Sequence, residues 1–159
     1  LQTFDGIGKV KAIQLKCAAE LSRRIARTDR RDRVCLSEPE SVAAYFMERL
    51  RHEHREQLVI AMFDTKCHLI GDAQIATGSA RAVLVSPRDI FMCALKQRAT
   101  AIILLHNHPS GDPAPSRDDM QLTKRIMECG ELLDIGLSDH IIIGDNHYYS
   151  FRENKQILV

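Results

Sequence analysis

The chain reads as an α/β protein, a three-layer α/β/α arrangement around one mixed sheet, preceded by a short N-terminal helical segment. Three observations carry this expectation. Runs with strand chemistry alternate with amphipathic helical stretches along most of the length, as when helices cover both faces of a sheet. "QLVIAMFD" (57–64) and "CHLIGDAQIAT" (67–77) are separated only by Thr65 and Lys66, which predicts an antiparallel hairpin, with Asp64 available for the turn. "AIILL" (101–105) is continuous and apolar, as expected of a central strand buried on both faces.

The elements follow in order. "FDGIGKVKAIQLKCAAELSRRIARTDRRDR" opens on a Gly6-Ile7-Gly8 turn, then places Val10, Ile13, Leu15, Cys17, Leu21 and Ile25 near helical spacing. This predicts a helix from Lys9 to about Arg27, then a charged linker through Arg33. The chain therefore divides into a helical region with its linker (1–33) and a larger domain (34–159). Ser37 or Glu38 before Pro39 starts a second helix, with Val42, Ala43, Phe46, Met47 and Leu50 on its inner face. After the hairpin, "RAVLV" (81–85) reads as a short strand. Ser86-Pro87 marks the N-cap and first position of a helix through Arg98. Ser116 starts another helix toward Gly130, with Leu122, Ile126, Cys129 and Leu133 along one side. "HIIIG" and "HYYSF" are late strands joined by a Gly144-Asp145-Asn146 turn.

Bulk composition narrows the function. With 22 basic and 21 acidic residues the chain is nearly neutral, so overall charge makes no case for nucleic acid or a membrane surface. Cys17, Cys35, Cys67, Cys93 and Cys129 are odd in number and never spaced C-x-x-C, which argues against a disulfide framework and a thiolate zinc cage. No apolar run approaches the ~18 residues of a membrane span, and no signal-like start is present, so a soluble cytoplasmic protein with no membrane partner is expected. The chain begins at Leu1, with helical patterning under way by Val10, as a fragment of a longer chain would.

The chemistry concentrates in "AIILLHNHPSGDPAPSRDDM" (101–120). On a strand, residues i and i+2 project to one side, so His106 and His108 face one ion from a single edge. Pro109 stops the ladder, and the Gly/Pro loop returns the chain to a helix whose first turn carries Asp118 and Asp119. A carboxylate there supplies a third ligand and leaves a fourth position open, the arrangement that distinguishes catalytic from structural zinc. The plain alternative for Ser116-x-x-Asp119 is a capping box, and for the histidines a strand-end pair with ordinary hydrogen bonds. Neither alternative explains why all these groups converge beyond one strand end, where open α/β sheets place ligands. Two other readings of the tripeptide fail: HNH nucleases spread their residues through a ββα element, and zinc deaminases need H-x-E with P-C-x-x-C.

H-N-H-P-x(6)-S-x-x-D, His106 through Asp119, resembles the JAMM (MPN-plus) metalloprotease signature, and "HNHPSGDPAPSRDD" closely resembles the RadC family. The similarity extends through "VSPRDIFMCAL" and "LSDHIIIG", covering most of 34–151, and "GIGKVKA…ELSRR" resembles the end of that family's helix-hairpin-helix region. The resemblance implies a JAMM/MPN, cytidine-deaminase-like fold with one zinc ion on His106, His108 and Asp119, and with Ser116 helping to stabilise an oxyanion. It also implies an upstream glutamate as general base. "LRHEHREQLVIAMFD" offers Glu53 and Glu56, and Glu56 immediately precedes the strand, where the family has its glutamate. Asn107 stands where isopeptidase members carry serine or threonine, as in RadC proteins.

Asp139 and His140, ahead of "IIIG", are candidates to orient a ligand from behind, as carboxylates and imidazoles do around zinc. His52 and His54 form another H-x-H but sit in a charged helix end without a fixed carboxylate, and read as solvated. The expected function is a zinc-dependent hydrolase of the JAMM metallopeptidase or isopeptidase type, cleaving an amide in a protein or peptide by a metal-activated water. The alternative is a DNA-repair-associated module in which the metal domain is not catalytic. In it Gly6 and Gly8 present backbone N–H groups, and Lys9 and Lys11 positive charge, to DNA phosphate.

Overall fold

The computed structural model describes residues 8–31, 34–35, 37–78 and 85–157, with 23–31 by backbone alone. The chain divides into two units, Leu1–Arg33 and Val34–Val159.

The described part of the first unit is one helix, α1 (Lys9–Arg31), which runs four residues past its expected end because no Gly or Pro interrupts "RTDRR". Gly8 precedes it, Lys9 and Lys11 lie exposed on its first turn, and Gly6 lies outside the described residues.

The second unit holds α2 (Pro39–Leu50), β1 (Gln57–Phe63), β2 (Leu69–Thr77), α3 (Pro87–Lys96), β3 (Ala101–Asn107), α4 (Arg117–Leu133), β4 (Gly136–Ile143) and β5 (Tyr148–Ser150). The sheet order is β2-β1-β3-β4-β5. β3 and β4 pair in parallel and the other neighbours are antiparallel, so the sheet is mixed as expected. The strand expected over 81–85 falls almost wholly outside the described residues, and Val85 is buried coil.

The two-residue period of β1 and β3 divides the core. Leu58, Ile60, Met62, Ile102 and Leu104 pack with Ile90, Phe91 and Ala94 of α3 and Leu122 and Ile126 of α4. The alternate residues Val59, Ala61, Phe63, Ile103 and Leu105 pack with Val42, Ala43, Phe46 and Leu50 of α2 on the opposite face. Three layers result, with β1 and β3 buried on both sides. Completely burying one such side chain contributes about 1.5–3 kcal/mol, so both faces of β3 anchor the strand that carries the histidines.

Turn chemistry differs from expectation at the first hairpin. β2 begins at Leu69, two residues late, because Cys67 takes a left-handed conformation (φ 61°) and Asp64 Oδ1 accepts the N–H groups of Lys66 (2.8 Å) and His68 (2.9 Å). β4 begins at Gly136, earlier than the apolar run indicates, and so takes Asp139 and His140 into the sheet interior. α3 ends at Lys96, and Ser86 precedes it without a side-chain cap bond.

Candidate metal centre

β3 delivers the first histidine. Leu58 of β1 pairs with His106, and His106 in turn pairs with Ile142 of β4, so its ring is held between strands and is only 1% exposed. His108 lies one residue past the strand, but its N–H still donates to Ile143 O (2.9 Å), so the ladder holds it to the same side as His106.

The next loop is shaped to return the chain. Gly111 adopts φ 83°, and its N–H donates to His108 O (2.9 Å). A Cβ at Gly144 would lie 2.3 Å from Gly111 O, so only glycine allows the β4–β5 turn to approach this closely. The loop then feeds α4, whose N-cap Ser116 accepts from the Asp119 N–H (3.1 Å) while Asp119 Oδ2 accepts from the Ser116 N–H (2.8 Å). That reciprocal pair is the capping box, and it also points Asp119 inward.

The capping and ligand readings therefore coexist. Asp119 Oδ1 lies 3.2 Å from His106 Nε2, Asp119 Oδ2 3.5 Å from His108 Nε2, and the two Nε2 atoms 3.0 Å from each other. One donor atom from each of the three residues falls within 4.8 Å of the others. Asp118 is not in this group.

Each imidazole is also fixed from behind. His108 Nδ1 donates to the Asp112 carbonyl (2.8 Å), an acceptor only, so its proton is on Nδ1 and the Nε2 lone pair faces the centre. His106 Nδ1 lies 2.9 Å from His140 Nε2, and His140 Nδ1 lies 2.7 Å from Thr123 Oγ1. Lone pairs from two imidazoles and a carboxylate at this range repel one another unless positive charge, a proton or a metal ion, sits among them. Ligand bonds of ~2.0–2.1 Å at tetrahedral angles set neighbouring donor atoms roughly 3.3 Å apart, and one donor atom from each residue lies within 4.8 Å of the others. The residues fit a tetrahedral divalent ion.

Charge concentrates at the same point. Burial alone pushes the Asp119 carboxyl up, but His106, His108 and the Ser116 hydroxyl outweigh it and hold the group far below the usual carboxylate range. The Asp119 carboxylate raises His108, against partial burial. Desolvation, aided by the neighbouring His106, pushes buried His140 well below an ordinary histidine.

Glu56 immediately precedes β1, two residues before Leu58, the β1 partner of His106. Its charge contributes to raising His108. Two contacts fix its backbone: Glu56 O accepts the Gly78 N–H (2.9 Å), and the next N–H, that of Gln57, donates to Asn107 Oδ1 (2.8 Å). Glu56 and Pro109 line a cleft of about 440 Å³ together with His54, Arg55 and Gly78. His52 and His54 are exposed, in keeping with a solvated pair.

Two sequence-predicted side chains take partners that the sequence does not give. Asp139 and His140 were paired by sequence as candidates to orient a ligand, but consecutive strand residues point to opposite faces, and only His140 touches one. Asp139 instead accepts from Ser150 Oγ (2.6 Å), the Arg152 N–H (3.0 Å) and the His140 N–H (2.7 Å), tying β4 to the turn after β5. Ser116, expected to face an oxyanion, donates its hydroxyl to Asp119 Oδ2 (2.6 Å). Sequence reasoning missed Thr123 altogether; its only sequence signal is its place one turn after Asp119 on the same helix face. Asn107 was noted only as a departure from the isopeptidase pattern, whereas its amide spans the Glu53–Gln57 segment, with Nδ2 donating to Glu53 O and Arg55 O (3.2 Å each).

Known proteins bear on this geometry. Residues 36–156 match the family model described as the RadC-like JAB domain. A UPF0758 protein of Alkaliphilus metalliredigens is 45% identical over 99% of this chain and 68% of its own length. Others from Bacillus mycoides and Bacillus cereus are 43% identical over 99% of this chain and 70% of theirs. The helices and five-stranded mixed sheet are consistent with a JAB/MPN domain, a group related to the JAMM metalloproteases. With that architecture around the histidine pair and the helix-borne aspartate, the chain belongs to the RadC-like JAB domain family.

Proposed function

We propose that the protein is a zinc-dependent hydrolase that cleaves an amide or isopeptide bond. The convergence of His106 Nε2, His108 Nε2 and the Asp119 carboxylate beside a cleft lined by Glu56 carries this reading. When bound there, zinc supplies the Lewis acidity that lowers the pKa of a water toward ~7 and polarises a carbonyl. The protein's own groups do the rest. Glu56 takes the proton of the attacking water and returns it to the leaving amine as the C–N bond breaks. Ser116, exposed at the start of α4, turns its hydroxyl from Asp119 to the developing oxyanion and donates a hydrogen bond there. His106, His108 and Asp119 hold the ion, and their charge and donor set also accommodate iron, manganese or nickel.

The test is Glu56→Gln against wild type on a library of quenched peptides and ε-linked isopeptides, with zinc content measured in parallel. The expected result is full zinc content with no cleavage by the variant. Cleavage retained in the variant removes Glu56 as base. No cleavage of any library member by zinc-loaded wild type contradicts the hydrolase reading.

The charge of α1 favours a second reading, in which the N-terminal region contacts DNA. "KVKAIQLKCAAELSRRIARTDRR" has no acidic residue in its first turn, so Lys9 and Lys11, with Gly8 before them, present positive charge where phosphate is best received. Binding to duplex DNA that weakens steeply with salt supports this role, and salt-independent or absent binding contradicts it.

A further inference from the structure

We propose that Thr123 and His140 form a relay that sets which ring nitrogen of His106 faces the metal. The inference rests on reading His106, His108 and Asp119 as the ligands.

The argument starts from the hydroxyl. Thr123 Oγ1 donates its one proton to the backbone oxygen of Asp119, one turn back on α4 (2.7 Å). Its lone pairs therefore face His140 Nδ1 at 2.7 Å, and that nitrogen must bring the proton. His140 is wholly buried between β3 and α4 and stacks on Phe151 with ring centroids 4.9 Å apart, apolar surroundings in which the uncharged ring is favoured. A neutral ring protonated on Nδ1 offers a lone pair on Nε2, so the 2.9 Å contact to His106 is donated by His106 Nδ1. His106 then presents a bare Nε2 to the centre.

His108 reaches the same state more simply, through a backbone carbonyl that accepts and never donates. His106 has no carbonyl behind it. An imidazole partner is ambiguous, since either ring could donate, and the Thr123 hydroxyl removes the ambiguity two steps from the ion. In Thr123→Val the shape is nearly kept but the acceptor is lost. His140 then leaves a buried N–H unsatisfied unless its proton moves to Nε2. That move forces the His106 proton onto Nε2, where it blocks coordination.

Thr123 and His140 are thus positioning residues, and zinc itself is the probe. Titration of metal-free protein with zinc against a competing chelator should show Thr123→Val weakened roughly 10- to 100-fold, the range for lost partners behind a metal ligand. Thr123→Ser, which restores the hydroxyl, should return affinity close to wild type, which a merely structural threonine would not require. Nitrogen-15 spectra of zinc-loaded wild type should show His140 protonated on Nδ1 and bare on Nε2, and this readout needs neither a folded variant nor activity. Unchanged affinity in Thr123→Val, or His140 protonated on Nε2 in zinc-loaded wild type, overturns the relay and leaves the metal centre standing. Wild type that takes up no zinc contradicts the centre itself, and the relay with it.

Discussion

His106 and His108 present the same ring nitrogen to one point by different means, and the difference follows from where each sits. His108 leaves the sheet and finds the Asp112 carbonyl of its own loop, whereas His106 is locked inside the sheet and must use side chains from β4 and α4. The same logic separates the neighbours Asp139 and His140: one backs a ligand and the other is an anchor. Asp139 accepts from three donors at 2.6–3.0 Å while fully buried, and burial raises its carboxyl although all three bonds oppose that. Asp139→Ala strands those donors, so unfolding by urea should show a loss on the order of 3 kcal/mol, with zinc affinity unchanged in the fraction that folds. A variant of wild-type stability, or one that stays stable but loses zinc, contradicts the anchor role.

Elements explain what was legible in the sequence and what was not. His106, His108 and Asp119 could be found because strand alternation and a helix N-terminus are local rules that bring residues within fourteen positions together. The Thr123–His140 contact spans 17 residues and the His140–His106 contact 34, and both exist only because β4 pairs in parallel with β3 under α4. No local pattern encodes that. β4 started earlier than its apolar run indicated because Leu137, Ser138, Asp139 and His140 are buried in it, polar groups included. Asn107 shows the converse case, a residue whose position was plain and whose work was hidden. Its alternation sends it to the α2 face, away from the ligands, where it clasps the segment leading into β1. Asn107→Ala should expose the Gln57 amide to hydrogen exchange and destabilise the fold by about 2 kcal/mol. Zinc stoichiometry should be retained and cleavage should fall, since Glu56 lies inside the segment that the Asn107 amide holds. A Gln57 amide as protected as in wild type would show that Asn107 does not hold the segment.

At the scale of the whole molecule, the larger unit keeps both sheet faces covered and sets its polar groups at one end, where β3 stops, α4 starts and β1 begins. Buried apolar side chains above and below β3 make the strand stiff, so its last residues deliver side chains with little freedom. The described residues include no helix long and apolar enough to cross a membrane, and no cysteine among them is in a disulfide. Every proposed role depends on one cation among His106, His108 and Asp119. Elemental analysis of the purified protein, wild type beside His108→Ala, measures that directly. One zinc per chain in wild type and its loss in the variant is the expected result; equal metal in both, or none in wild type after exposure to zinc, contradicts the account.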